Sequence, residues 1–227
     1  TSEGASAEQG DAAEVGESPA TIAYLVPFLA ILAASVISKA ASGSFERLYP
    51  LRFIAGICAL WFFRKDYRKL DWRFDWLGPT TGVAIFFLWI APTLWTRNYL
   101  SGSSGSALAL LSPILRTVWI ATHVAAAIIT APIAEELAFR GYLVRRLISR
   151  NFDMVPFSSL SFISIGLSSI AFGLMQGSHW IVGTLAGASY ALVAKRRGRI
   201  GDAIVAHAMT NLLLAAWVLL SGNWAQW

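Results

Sequence analysis

Long apolar runs separated by short polar loops dominate the chain and predict membrane-spanning helices. A helix needs about 20 apolar residues to cross roughly 30 Å of hydrocarbon, and seven runs reach or approach that length. An eighth run, 106–116, is shorter and is interpreted as an interfacial or re-entrant lead into the fourth helix, broken at Pro113; an eighth span is the alternative. The predicted fold is an all-α integral membrane bundle of about seven transmembrane helices. The seven runs are 20–39, 48–63, 76–96, 117–145, 158–176, 179–195 and 200–221.

The composition agrees with a membrane protein. Of 227 residues, 56% are hydrophobic and 14% are charged, and the mean hydropathy is +0.57, whereas soluble domains are about 25% charged. Residues 1–19 differ, because they contain five acidic residues and no basic one, a composition too polar to bury a core. We expect a disordered acidic linker at 1–19, as left by trimming of a larger polypeptide, and a polytopic membrane domain at 20–227.

Basic residues are concentrated in alternate loops. The loops after the second, fourth and sixth predicted spans hold five, three and four Lys or Arg, which is twelve of the eighteen in the chain. Because cytoplasmic loops carry an excess of Lys and Arg, these loops and the N-terminus are predicted to be cytoplasmic. The net charge of +5 lies in clusters between apolar runs, so nucleic acid is not an expected partner.

Two adjacent glutamates, Glu135 and Glu136, interrupt the fourth apolar run. A carboxylate at the bilayer centre costs about 2.5–3.5 kcal/mol on insertion scales, so a cation, a metal or a water-filled cavity must compensate it. Arg140 lies four residues after Glu136, on the same helical face, and is placed to pair with it. Glu135 is rotated by about 100° and is left free to transfer protons. It lies about 15 Å along the helix from Arg145, inside the membrane.

A second polar pair, His207 and Asn211, is spaced i, i+4 on the last apolar run. The two side chains could simply bond each other or a neighbouring backbone group. Together with the glutamates, they form a set suited to activating water and stabilising an oxyanion, or to holding a metal. His123, on a face remote from Arg140, is interpreted as a core histidine.

These residues resemble the CPBP (CAAX protease and bacteriocin-processing) intramembrane peptidases. The motifs of that family are EExxxR, FxxxH and HxxxN/D on three helices, and the first and third match Glu135–Arg140 and His207–Asn211. The chain also resembles the exosortase-associated branch of the family, in which some proteases are fused behind an exosortase domain. The segments that carry this second resemblance are 45–53 (FERLYPLRF), 152–156 (FDMVP), 172–177 (FGLMQG), 196–203 (RRGRIGDA) and the end of the chain (NWAQW).

The resemblance implies a CAAX-protease-like bundle in the bacterial inner membrane that hydrolyses a peptide bond of a membrane-anchored polypeptide. It implies that Glu135 activates the water, with Glu136 and Arg140 as a supporting pair. His207 and Asn211 would stabilise the oxyanion, or Glu135 and His207, with His179 as a possible third ligand, would bind zinc. The expected partners are the substrate polypeptide and the lipid bilayer and, through the second resemblance, an exosortase domain. The mechanism is either zinc-dependent or driven by glutamate alone.

The second motif departs from the family. Phe172 is present, but Gln176 stands where the motif has histidine, and an amide neither accepts a proton near neutral pH nor binds zinc well. Three explanations remain open: an inactive relative, replacement by His179, or a slow site that uses Glu135 and His207 with Gln176 as a positioner. The functional alternatives are accordingly a catalytically inactive membrane binding or chaperone protein and a small transporter with a Glu/Arg/His relay.

The second motif is predicted to lie at a different depth in the membrane from the first. Gln176 lies up to about 28 Å from Lys195 along a straight helix, nearly twice the depth expected for Glu135. The fifth and sixth spans must therefore be tilted, short or re-entrant if the three motifs are to meet.

Overall fold

The computed structural model describes residues 19–42, 45–96 and 103–224, which form eight helices with no strand among them. The all-α prediction is confirmed. The linker predicted at 1–19 lies outside the described residues, except that α1 begins at Pro19. The helices are α1 (Pro19–Ser42), α2 (Pro50–Phe62), α3 (Leu77–Thr96), α4 (Ser103–Ala109), α5 (Pro113–Arg146), α6 (Phe162–Leu174), α7 (Trp180–Arg197) and α8 (Gly201–Ser221).

Four of the eight described helices, α1, α3, α5 and α8, are long and apolar enough to cross a membrane. By contrast α2 and α6 have 13 residues each, or about 20 Å of helix. The run at 106–116 is divided between two helices: α4 ends at Ala109 and α5 begins at Pro113. Helices thus occupy all seven predicted positions, and the number that cross the bilayer stays a prediction.

The longest helix, α5, widens twice along its 34 residues. It begins where Ser112 Oγ accepts a hydrogen bond from Leu115 N and proline occupies the first turn, a position where the missing N–H costs nothing. Two π-helical stretches interrupt it, at Ala126–Thr130 and Leu137–Leu143. Such stretches are frequent at functional sites, and here they flank the glutamate doublet on both sides.

Helices α6 and α7 form a hairpin whose backbones approach closely. A methyl group added at Gly173 would overlap Thr184 Oγ1 and lie 2.5 Å from the Trp180 carbonyl oxygen, and one added at Gly183 would lie 2.6 Å from Gln176 Cγ. Small residues allow this kind of approach between membrane helices. The hairpin therefore fixes the position of Gln176 against α7.

The three basic loops meet at one end of the bundle. Lys69, Arg145 and Arg199 line one pocket of about 370 Å³ there. Asp75 joins two loops, because its carboxylate forms ion pairs with Arg197 (2.9 Å) and Arg199 (3.2 Å). We call this the basic end, and it comprises residues 64–73, 145–150 and 195–199.

Tyr67 ties the basic end to α1. Its hydroxyl donates a hydrogen bond to the Ala23 carbonyl oxygen at 2.6 Å. Burial raises the pKa of the Tyr67 hydroxyl far above its ordinary value, so this donor keeps its proton at every physiological pH. The loop that follows α2 is consequently held against the first turn of α1.

The opposite end of the bundle is held by one ion pair and by aromatic contacts. Glu46 forms two hydrogen bonds with Arg52, at 2.7 and 2.5 Å, and its carbonyl oxygen accepts one from Trp119 Nε1 at 2.9 Å. Tyr49 stacks on His123 with ring centroids 3.8 Å apart. We call this the far end, and it comprises residues 39–42, 45–52 and 112–119.

Two glycines of α6 give a matched test of the hairpin. Gly173→Ala should destabilise the protein by about 1–3 kcal/mol, the usual cost of overpacking a tight contact, because the added methyl group meets backbone atoms of α7. Gly166→Ala, the same substitution in the same helix, meets nothing within 4 Å and should not lower stability. Thermal unfolding in detergent measures both, and equal midpoints for the two variants would contradict the close contact.

Candidate active site

The carboxylate of Glu136 is the fully buried centre of the site. Its Oε1 accepts a hydrogen bond from Arg140 Nη1 at 3.1 Å and lies 2.9 Å from His207 Nδ1. Glu136 and Arg140 are both 0% exposed. One carboxylate oxygen thus joins the first motif on α5 to the third motif on α8.

The buried charge of Arg140 is stabilised by other groups in addition to the Glu136 carboxylate. Its Nη2 donates to the Gly187 carbonyl oxygen at 2.7 Å, and its guanidinium lies over the Phe172 ring at 4.5 Å. A buried ion pair recovers its desolvation cost only when further hydrogen bonds satisfy the charged groups. Arg140 therefore connects α5 to both helices of the hairpin.

Glu135 faces a cavity rather than the core. Its side chain is 22% exposed, and its Oε2 lies 3.9 Å from His207 Nε2. That separation is too long for a direct hydrogen bond and leaves room for a bridging water. The two adjacent glutamates therefore have different environments. Glu136 is buried and paired, and Glu135 is open to the cavity.

His207 is held by an aromatic and hydroxyl support that the sequence analysis missed. Its ring stacks on Tyr190 with centroids 5.0 Å apart. The Tyr190 hydroxyl donates to Thr210 Oγ1 at 2.8 Å, and Thr210 donates to the Gly82 carbonyl oxygen at 3.0 Å. Thr210 lies three residues after His207, a spacing that shares a helical face and was a signal available in the sequence. Tyr190 had no comparable signal.

Asn211 reaches from α8 back to α5. Its Nδ2 donates to the carbonyl oxygen of Ala127 at 2.8 Å, inside the π-helical stretch Ala126–Thr130. An amide has two N–H groups and one acceptor oxygen, so this bond uses one of its donors and orients the remaining groups. The side chain lines the same cavity as Glu135.

Gln176 follows the last turn of α6 and lines the cavity with Glu135 and Asn211. The short α6 accounts for the disagreement in depth, because the hairpin turns back at Gly177–His179 without the length of a full span. His179 does not line this cavity; its ring stacks on Trp89 with centroids 5.3 Å apart. Of the two residues considered for the second motif, the structure therefore brings only Gln176 to the other two motifs.

Two cavities meet at Glu135. One, of about 220 Å³, extends toward α3, α7 and α8, and the other, of about 450 Å³, extends toward α1 and α2. A water needs roughly 10–15 Å³ of such space, so each cavity has room for several waters. The residues that line both cavities are Ala127, Glu135, Phe172, Gln176 and Asn211.

The donor set does not fit a catalytic zinc ion. Zinc sites of hydrolases use three protein ligands and an open position, and the described residues contain no group of three His, Cys, Asp or Glu side chains that could hold a metal. Near Glu135, the imidazole of His207 already contacts Glu136 through Nδ1. Beside Glu135 and His207, a zinc ion would need a third protein ligand, and the side chain present there is the amide of Gln176, a poor zinc ligand.

Removing Arg140 should unfold the protein at a lower temperature. Arg140→Met leaves Glu136 with His207 alone, and breaking a buried pair costs about 3–5 kcal/mol. Arg146→Met is the matched control, because Arg146 is exposed on the same helix. The double variant Glu136→Gln/Arg140→Met should recover part of the loss. Thermal unfolding in detergent measures all three, and an Arg140→Met midpoint equal to that of the control would contradict the role of the pair.

Comparison with known proteins agrees with the motifs. Residues 116–213 match the family described as type II CAAX prenyl endopeptidase Rce1-like. The matched segment is less than half of the chain and contains the glutamate doublet, Arg140, Gln176, His207 and Asn211. No curated protein and no solved structure matches the chain. The match supports the resemblance to the CPBP intramembrane peptidases and, with the apolar helices, a membrane protease.

Proposed function

We propose that this protein is an intramembrane endopeptidase that cleaves a peptide bond of a membrane-anchored polypeptide. The observation that carries the proposal is the shared cavity: Glu135, Gln176 and Asn211, from three separate helical segments, line it together. His207 also lines the smaller cavity, and its Nε2 lies 3.9 Å from Glu135 Oε2. A proton acceptor, two amides and an imidazole around one wet space are the groups that hydrolysis of an amide requires.

Glu135 is the general base of the proposed reaction. Its carboxylate accepts a proton from a cavity water, and the water oxygen bonds to the substrate carbonyl carbon to give a tetrahedral intermediate. The C–N bond then breaks, and the proton held by Glu135 passes to the leaving nitrogen. The products are a carboxylic acid and an amine, and Glu135 returns to its starting state.

Three donors surround the position where the oxyanion forms. Asn211 has a second N–H beyond the one bonded to Ala127, and Gln176 adds an amide from the end of α6. The third group is the His207 ring, which contacts Glu136 through Nδ1 and has Nε2 on the Glu135 side of the cavity. Donors fixed before the charge develops stabilise the transition state most strongly.

Glu136 and Arg140 act as a support in this proposal. The Glu136 carboxylate orients the His207 ring through Nδ1, and Arg140 balances the charge of Glu136 while bonding α7 through Gly187. Neither side chain is among the lining residues of the two cavities. Their role is to hold the acting groups in place.

The proposed substrate is a polypeptide anchored by an apolar helix in the bacterial inner membrane. The exosortase-like segments at 45–53 and 196–203 favour a role in exosortase protein sorting, with a sorted protein or the exosortase itself as the polypeptide. We propose a metal-free mechanism, because the donors at the site are too few for zinc.

Glu135→Gln should abolish cleavage, with a loss of about 10²–10⁴-fold, the usual contribution of a general base. The assay uses proteoliposomes that contain the protein and a pool of single-span reporter polypeptides with varied flanking residues, with products identified by mass spectrometry. Asp153→Asn is the control, since it changes an exposed carboxylate to an amide at the basic end. Chelation of divalent metals should leave cleavage unchanged. Full activity of Glu135→Gln, or solute flux without cleavage, would refute the proposal.

Gln176 favours a second candidate function, in which the protein binds a membrane polypeptide without cleaving it. The amide replaces a group able to accept a proton and lines the cavity itself.

Gln176→His separates the two functions in the same assay. We expect slow cleavage by the natural chain and a gain of up to about 100-fold in Gln176→His, the lower range of general acid–base contributions. Gln176→Ala controls for loss of the amide. A natural chain that crosslinks to the reporters without cleaving them, together with a cleaving Gln176→His variant, would establish the binding function instead.

A further inference from the structure

The cavities at Glu135 extend away from the basic end. The larger cavity runs from Glu135 and Gln176 along α1 to Lys39, and across to Tyr49 and Arg52 at the start of α2. Those three residues belong to the far end. The smaller cavity likewise includes His123, which stacks on Tyr49. Both open spaces therefore lead from the glutamate toward the far end.

The route from the site to the basic end is filled by packed side chains. Leu137, Arg140 and Ile200 are 0% exposed, and Tyr24 is 1% exposed. A methyl group added at Gly141 would lie 2.5 Å from the Tyr24 ring, which shows how tightly α1 and α5 meet here. The pocket at the basic end shares no lining residue with either cavity. Among the described residues, a layer of packed side chains thus separates the site from the basic loops.

The extension of the cavities toward the far end does not follow from the depth of Glu135 in the bundle. Along α5, Glu135 is about 15 Å from Arg145 at the basic end and about 28 Å from Arg116 at the far end, at 1.5 Å per residue. The catalytic group lies closer to the end that is closed. Access from the far end therefore needs a long cavity, and the space of about 450 Å³ along α1 provides it.

The distribution of charge assigns the two ends to the two sides of the membrane. Twelve of the eighteen basic residues lie at the basic end, and loops rich in Lys and Arg remain in the cytoplasm. We infer that the site opens to the extracytoplasmic side and acts on polypeptide segments that approach from there. That the approaching segment is a substrate rests on the proposed peptidase function. The direction of access rests on the course of the cavity and on the distribution of Lys and Arg.

The walls of the larger cavity describe the kind of segment it accepts. On the α1 side they are mostly apolar, with Phe28, Ile31 and Leu32 beside Ser35, and the cations Lys39 and Arg52 line the cavity at the far end. An extended chain that leaves its membrane anchor on the extracytoplasmic side meets an apolar wall first along its length and a cation where it exits. The substrate class is accordingly an anchored polypeptide that enters from the extracytoplasmic side and is cut at the depth of Glu135.

Cysteine labelling tests the direction of access without requiring activity. In the full chain with Cys58→Ala, Ser35→Cys places a thiol on the larger cavity, and Ser158→Cys places one on the exposed loop between α5 and α6. A membrane-impermeant maleimide is applied to spheroplasts and to inverted vesicles, and both variants are repeated with Glu135→Gln. We expect Ser35→Cys to be labelled only in spheroplasts and Ser158→Cys only in inverted vesicles.

The outcomes separate this inference from the proposed function. Labelling of Ser35→Cys only in inverted vesicles, or in neither preparation, would overturn extracytoplasmic access, as would labelling of Ser158→Cys in spheroplasts. Each of these results leaves cleavage of the reporter pool possible. Conversely, the expected labelling pattern together with an inert protein would retain the direction of access and refute the peptidase.

Discussion

The bundle depends on one buried charge, the carboxylate of Glu136, which is shared between Arg140 and His207. A lone carboxylate is expensive inside a membrane, so α5 and α8 must stay together for as long as it is ionised. Arg140 extends the same constraint to α7 through the Gly187 carbonyl and to α6 through the Phe172 ring. Four helices are thereby fixed around a group that does not itself face the cavity.

Much of this arrangement could be predicted from the sequence because it is local. The apolar runs placed the helices, and the i, i+4 spacings placed Arg140 beside Glu136 and Asn211 on the face of His207. The rotation between adjacent residues also separated the environments of Glu135 and Glu136. Each of these relations depends on helical geometry within one segment.

The relations between helices could not be predicted in the same way. Contact between Glu136 and His207 depends on how α5 packs against α8, and the stacking of Tyr190 on His207 depends on α7. The meeting of Gln176 with Glu135 required a short α6, since a regular span would have carried it too deep. The π-helical stretches were equally hidden, although Pro132 and Gly141 lie where the regular ladder is disturbed. The spacing of residues along the sequence carries no information on these contacts between helices or on the π-helical stretches.

The turn after α6 lies beside a residue of the site, Gln176, and beside the closely packed part of the hairpin. Gly177 has φ of +58° and nothing within 4 Å of the place where a side chain would start, so the tip of the hairpin projects into open space while its stem is locked by Gly173 and Gly183. Gln176 lies directly before this tip, packed beside Gly183 of α7, and its side chain lines both cavities. A substitution at position 176 therefore changes the group that the cavity presents at the point where α6 and α7 are held together by Gly173 and Gly183.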